Sequence, residues 1–240
     1  MGEELERVKL LLGEQAVEKL HNSTVLVAGV GGVGSYAAEA LARTGIGHLI
    51  LVDSDEVEIS NLNRQIMADH TTLHTPKVKA MHERIRGFAP ECDVREMQMF
   101  LKEENMKLVC DADFVVDAID TVTSKLDLIE ACHEYGIPFV SSLGMGNRLD
   151  SSMVTYTDLW KTQMDPLAKS VRQMARKRGI RYPVPVLFSH EQPRTQNTVV
   201  NPDGETRKDR IPPASVIFVP AAAGLLAASI AVRTILEEKI

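Results

Sequence analysis

The residues able to do chemistry in this 240-residue chain form one ordered series. Gly29, Gly31, Gly32 and Gly34 follow the β-branched run Thr24–Ala28 directly and precede the alanine-rich stretch Ser35–Thr44. Strand, then glycines, then helix lets backbone come close to a phosphate, with the N–H groups and positive dipole end of the helix facing the anion. Asp53 closes the next apolar run, Leu49–Val52, where a carboxylate can accept from ribose hydroxyls. A dense polar stretch follows. With Ser60 as a helix cap, Asn61, Arg64 and Gln65 share one face by their i, i+3, i+4 spacing, and two amides beside a guanidinium suit an anionic ligand. Lys77 stands near the start of another helical run, where the dipole disfavours a cation unless an anion sits beside it; the alternative is that Lys77 points to water. Asp120 comes just after the buried run Phe114–Asp117, at the strand end where ligands of open α/β sheets collect. These residues read as a nucleotide-binding site.

The elements that must position them alternate. Thr24–Ala28, Leu49–Val52, Cys92–Met97, Phe114–Asp117 and Phe139–Ser142 read as strands, and helical stretches fall between them. That is the pattern of an α/β, doubly wound, mostly parallel, Rossmann-like sheet. Ahead of it, Glu4–His21 has helical apolar spacing broken at Gly13, and Arg7 lies on this arm. Beyond residue 142 the pattern changes, so 1–142 reads as a nucleotide-binding core and 143–240 as a substrate-side, antiparallel and helical extension of one domain. Its expected parts are a flexible turn over Gly144–Arg148, a strand at Met153–Thr157 and a basic helix at Pro166–Arg178. Tyr182–Phe188 is expected at a sheet edge because it holds two prolines. A flexible loop over 191–213, a further strand at Ser215–Val219 and an apolar C-terminal helix over 220–238 complete it.

Composition narrows the class. Hydrophobic content of 44% and charged content of 25% exclude disorder as the main state. A net charge of −6 opposes nucleic-acid binding over the whole surface while leaving room for a local basic patch. The three cysteines, Cys92, Cys110 and Cys132, form no CxxC pair, which argues against a disulfide framework or a four-cysteine zinc site and fits a reducing cytoplasm. The first residues lack the basic-then-apolar order of a signal peptide. Ala214–Val232 is uncharged and about the length of a short membrane span. Its Pro220, Gly224 and many alanines favour a buried core or subunit-contact helix, with membrane association the alternative.

Gly29–Ser35, Asp53, Asn61 to Gln65, Lys77 and Asp120, in this order and spacing, resemble the ThiF/MoeB/HesA superfamily of ubiquitin-activating-like adenylating enzymes. The resemblance implies transfer of AMP from ATP to a carboxylate. It also implies roles: the glycines approach the phosphates, Asp53 holds the ribose, Asn61, Arg64 and Lys77 contact the triphosphate, Gln65 belongs to the nucleotide-binding set, and Asp120 supports Mg²⁺. The arm Arg7–Gly13 looks like the family's N-terminal segment, whose arginine reaches the partner subunit's ATP, making the protein a homodimer. The chemistry agrees: attack on the α-phosphorus builds charge on pyrophosphate, which cations and a metal offset.

Within the superfamily, the absence of paired CxxC motifs and of a cysteine after Cys132 disfavours the zinc-bearing members, and the expected placement of all three cysteines in strands or helices rather than a loop near the site disfavours the thioester-forming ones. The segments Arg7–Leu20, VVDAIDTV, Ser142–Asp150, Lys161–Ala168 and Val216–Gly224 resemble the branch that dehydrates threonylcarbamoyladenosine in tRNA. That resemblance implies adenylylation of the threonylcarbamoyl carboxylate and then cyclisation with loss of AMP. The tRNA expectation also draws on seven basic side chains between Lys161 and Arg181, which either neutralise phosphates or form an ordinary solvated helix face. Sulfur-transfer proteins are a further partner class left open. Two rival readings share part of the pattern: activation of a ubiquitin-like or sulfur-carrier protein, which uses the same nucleotide residues, and an NAD(P)-dependent oxidoreductase, which leaves Arg64, Lys77 and Asp120 unexplained.

Overall fold

The computed structural model describes residues 2–197 and 213–239. In chain order the helices and strands are α1 (Glu6–Leu12), α2 (Glu14–His21), β1 (Thr24–Ala28), α3 (Gly34–Thr44), β2 (His48–Val52), α4 (Lys77–Arg86) and β3 (Asp93–Met97). They continue with β4 (Phe114–Asp117), α5 (Val122–Tyr135), β5 (Phe139–Ser142), β6 (Val154–Asp158), α6 (Pro166–Lys177), β7 (Pro185–Ser189) and α7 (Phe218–Ile235). The seven strands form one sheet in the order β3-β2-β1-β4-β5-β7-β6, parallel except for the β6–β7 pair.

Helices on both faces explain why the central strands are apolar throughout. On β1, Val25 and Val27 join the cluster formed with α3, α4 and α7, while Leu26 and Ala28 join the opposite cluster with α5. A third cluster, between α5, α6 and β7, attaches the extension to the core. The chain reverses sheet direction at β1, since β2 and β4 flank it on either side. The carboxyl ends of β1, β2 and β4 therefore open onto one crevice.

Several expectations change. β7 is not an edge strand: it lies between β5 and β6, and β6 is the edge. Pro183 precedes β7 and Pro185 is its first residue, where the missing N–H is tolerated. No strand forms at Ser215–Val219. Residues 213–216 have no regular structure and α7 begins at Phe218, because Pro220 is accommodated in a first helical turn. The turn Gly144–Arg148 is held rather than loose: the buried Arg148 donates to the carbonyls of Gly144 and Glu191, and its guanidinium lies 3.5 Å from the buried Asp165 carboxylate. Of the expected loop over 191–213, residues 198–212 lie outside the described residues.

α7 is long and apolar enough to cross a membrane, with a mean hydropathy of 1.7, yet half of it is buried inside the protein. A Cβ at Gly224 would lie 2.3 Å from the Val33 carbonyl oxygen and 2.7 Å from Tyr36 Cβ, so α7 packs directly on α3.

Candidate nucleotide-binding site

The loop after β1 is shaped by two close approaches. Gly29 has a φ of +87°, and a Cβ there would lie 2.8 Å from the Ala118 carbonyl oxygen; a Cβ at Gly34 would lie 1.8 Å from the Gly29 carbonyl oxygen. Gly31 and Gly32 differ. A Cβ at Gly31 would meet only Gln65 Nε2, at 3.9 Å, and one at Gly32 would sit 3.3 Å from Pro220 and 3.6 Å from Arg64. Among the described residues, the N–H groups of Gly31 and Gly32 donate to no protein acceptor. This is a backbone cradle at the N-terminus of α3, open on the side where a phosphate binds.

Asp53 stands beside it at the end of β2. One carboxylate oxygen accepts from Val30 N–H at 2.7 Å and the other from Asp55 N–H at 2.9 Å. Burial pushes its pKa above the ordinary carboxylate range; the Lys77 charge and the two backbone donors pull the other way.

The polar stretch forms a short 3-10 turn at Ile59–Asn61. Its cap is not Ser60, as the spacing had suggested: Glu58 N–H donates to Asn61 Oδ1 at 3.0 Å, which buries Asn61 in a structural role. Arg64 N–H and Gln65 N–H both donate to the Asn61 carbonyl, and this turn carries Arg64 and Gln65 to the glycines. Arg64 donates to the Ser60 carbonyl at 2.8 Å and to Asn63 Oδ1 at 3.0 Å, with no carboxylate partner among the described residues. Gln65 is buried, and its Oε1 has no hydrogen-bond partner among the described residues. A buried orphan acceptor beside an open cradle marks a place for a ligand.

Lys77 does not point to water. It is buried at the first turn of α4, and its Nζ lies 2.7 Å from Asp55 Oδ2, whose carboxylate is 64% exposed. The cation at the helix N-terminus is thus tolerated through a carboxylate that solvent or a ligand can reach. Asp120 lies exposed between β4 and α5, two residues beyond the Ala118 carbonyl that abuts Gly29. Among the described residues no group of three His, Cys, Asp or Glu side chains could hold a metal by itself. Asp120 alone fits Mg²⁺, which needs one or two carboxylates when phosphate oxygens and water complete its octahedron.

Arg7 is not brought to this crevice within one chain. It lies exposed on α1, which buries none of its own residues. The cysteines offer no reactive thiolate at the crevice. Burial raises the Cys92 thiol to about 12 and Cys132 further still, and Cys110 is exposed on the 3-10 helix Glu103–Asp111. The basic segment is uneven. Arg178 is paired with Asp127 at 2.5 Å and Glu130 at 2.7 Å, and Arg172 donates to Thr162 Oγ1. Lys161, Lys169, Arg176, Lys177 and Arg181 remain exposed.

One group behind the site escaped the motif reading. Asp117, at the end of β4, and Lys125, one turn into α5, are both fully buried and 2.8 Å apart. Ser141 donates to Asp117 at 2.6 Å, Lys125 donates to the Ser142 carbonyl at 2.9 Å, and Ile119 N–H donates to Asp117 at 3.0 Å. The network fixes the chain leading to Asp120. Its only sequence signal is an Asp ending an apolar run with a Lys in the following helix.

A family model described as the ThiF family matches residues 5–239. The chain is 42% identical over 245 residues to the tRNA threonylcarbamoyladenosine dehydratase of Bacillus subtilis, covering 99% of this chain and 96% of that one. The solved structure of the Escherichia coli tRNA N6-threonylcarbamoyladenosine dehydratase in complex with ATP superposes with a TM-score of 0.87 at 34% identity, covering 98% of this chain and 94% of that one. The same enzyme in complex with AMP superposes with a TM-score of 0.86 at 34% identity, covering 97% and 93%.

Proposed function

The chain belongs to the ThiF family, and from that premise we propose that it is an ATP-dependent tRNA threonylcarbamoyladenosine dehydratase. The observation that carries this reading is the open Gly31–Gly32 cradle with Arg64 and the unsatisfied Gln65 beside it, in a chain similar over nearly its whole length to enzymes so named.

The threonylcarbamoyl carboxylate is ionised at neutral pH and needs no general base. One of its oxygens bonds to the α-phosphorus of ATP, the bond from that phosphorus to the bridging oxygen breaks, and pyrophosphate leaves. The ureido group of the modification then bonds to the activated carbonyl and gives up an N–H proton, and AMP departs with the former carboxylate oxygen, so the nucleoside loses one water. The protein's task is to hold two anions together and to offset the charge that develops. The Gly31 and Gly32 N–H groups, Arg64 and Lys77 do this for the phosphates, while Asp53 receives the ribose. Asp120 would hold Mg²⁺, which when bound would supply Lewis-acid stabilisation of the phosphoryl oxygens. With Cys132 buried and Cys92 half-buried, the intramolecular nucleophile replaces a thioester.

Arg7 acts from a second subunit. Leu10 and Leu11 are 81% and 82% exposed on the same short helix, an apolar surface suited to a homodimer contact that carries Arg7 into the partner's crevice. The cytoplasm is where ATP, Mg²⁺ and tRNA meet.

The test is incubation with ATP, Mg²⁺ and tRNA carrying threonylcarbamoyladenosine, followed by nucleoside mass spectrometry. The expected product is lighter by one water, and Arg64→Ala does not form it. An unchanged nucleoside, together with pyrophosphate exchange that requires a carrier protein instead, overturns the assignment.

A further inference from the structure

The arginines divide by whether a carboxylate meets them. Most are ion-paired, as Arg43, Arg84, Arg95 and Arg178 are. Among the described residues those without such a partner fall into two groups. Arg7 and Arg64 belong to the proposed ATP site; Arg172, Arg176 and Arg181 lie on α6 and the turn beyond it.

Arg176 and Arg181 line an open cleft of about 370 Å³ together with Trp160. The backbone N–H of Trp160 donates to Asp158 Oδ1 at 3.0 Å, and the indole Nε1–H donates to the Tyr182 carbonyl at 2.9 Å, which fixes the ring. The Arg176 guanidinium carbon stands 5.6 Å from the ring centroid. Arg181 donates to the carbonyls of Arg176 and Ile180, at 3.2 and 3.0 Å, which orients it without neutralising it. An aromatic ring lining one cleft with two guanidiniums that meet no carboxylate among the described residues matches one nucleotide: the base stacks and the phosphodiester takes the charge.

The position of the cleft is as specific as its chemistry. β6 runs antiparallel to β7 and ends at Asp158 opposite Pro185, so Trp160 lies at the edge of the sheet away from the glycine loop. α6 connects the two edges. Its cap Asp165 lies against Gly144, just past the carboxyl end of β5, and its far end leads to Arg181. Twelve helical residues span about 18 Å. Lys169, Arg172 and Arg176, at i, i+3 and i+7, share one face along that path.

We propose that Trp160, Arg176 and Arg181 form a second RNA contact that holds an unpaired nucleotide, separated from the adenylation site by the length of α6. It rests on the tRNA reading above. A duplex keeps its base faces stacked and offers the indole nothing, so the site selects single-stranded or loop nucleotides.

Trp160 is the only tryptophan in the chain, so its emission reports the contact directly. The full-length protein is titrated with an unmodified single-stranded octaribonucleotide, with the same sequence as a duplex, and with polyglutamate. The single strand should quench Trp160, and Arg176→Gln with Arg181→Gln should weaken that titration about tenfold. The double variant must keep the parent's emission maximum and circular dichroism. An unfolded double variant is replaced by each single variant, which should show a smaller loss. Absence of quenching, an unchanged affinity in folded variants, or equal quenching by polyglutamate overturns the proposal. Nucleoside mass spectrometry on the same preparation separates the two claims. Dehydration without quenching removes the nucleotide contact alone, whereas specific quenching without dehydration removes the substrate assignment and leaves the contact standing.

Discussion

Asp53 carries two conflicting demands. It must be ionised to receive ribose hydroxyls and to hold the Val30 and Asp55 N–H groups, yet burial raises its pKa. A carboxyl whose folded pKa lies above its unfolded value stabilises the fold below the unfolded pKa, and that stability is lost as pH rises through the folded pKa. Relative to the parent, Asp53→Asn should therefore gain stability as the pH rises above about 4, measured by urea unfolding at each pH. A flat difference would contradict a buried, destabilised carboxylate. Lys125 poses the opposite problem, because among the described residues its ammonium is satisfied by Asp117, Ser141 and the Ser142 carbonyl alone. Lys125→Met leaves Asp117 buried without its cation. The loss should be about 3–5 kcal/mol in denaturant unfolding, far above that of an exposed lysine.

At the scale of elements, α7 shows how composition misleads. Its uncharged length passes for a membrane span, but Gly224 exists because α3 comes too close for a side chain. Gly224→Val should force the helices apart and lower Tm by several degrees, with the protein remaining in the soluble fraction of a vesicle flotation assay. Recovery with the vesicles would make the apolar face a lipid contact. The same scale explains α6. Its basic residues look equivalent in the sequence, but the helix turns Arg178 onto Asp127 and Glu130 of α5 and leaves Arg176 and Arg181 uncompensated.

For the whole molecule the question is whether one chain completes its own site. Arg7 lies on α1 with the exposed Leu10 and Leu11, and the proposed homodimer would cover them. Arg7→Ala and Lys77→Ala should each abolish most ATP–pyrophosphate exchange. If Arg7 acts across the interface, mixing the two inactive variants and allowing subunits to exchange should restore part of that activity, since a mixed dimer has one intact site. Failure to restore it, while light scattering shows exchanged dimers, would place Arg7 in its own subunit's site or outside catalysis.

Read alone, the sequence determined the alternation of strands and helices, the glycine loop and the residues at the carboxyl ends of β1, β2 and β4. Those features are local: a strand, the turn that follows it and the next helix lie within a few residues, and period and residue type suffice to order them. Tertiary structure decided what depends on distant partners. It placed β7 inside the sheet despite its prolines, turned Lys77 from solvent onto Asp55, gave Asn61 to a cap, and buried Lys125 against a strand carboxylate. A charged side chain carries no mark of whether it will be solvated, paired or left for a ligand. That follows from which opposite charge the packing brings within about 4 Å, and packing is a property of the folded chain.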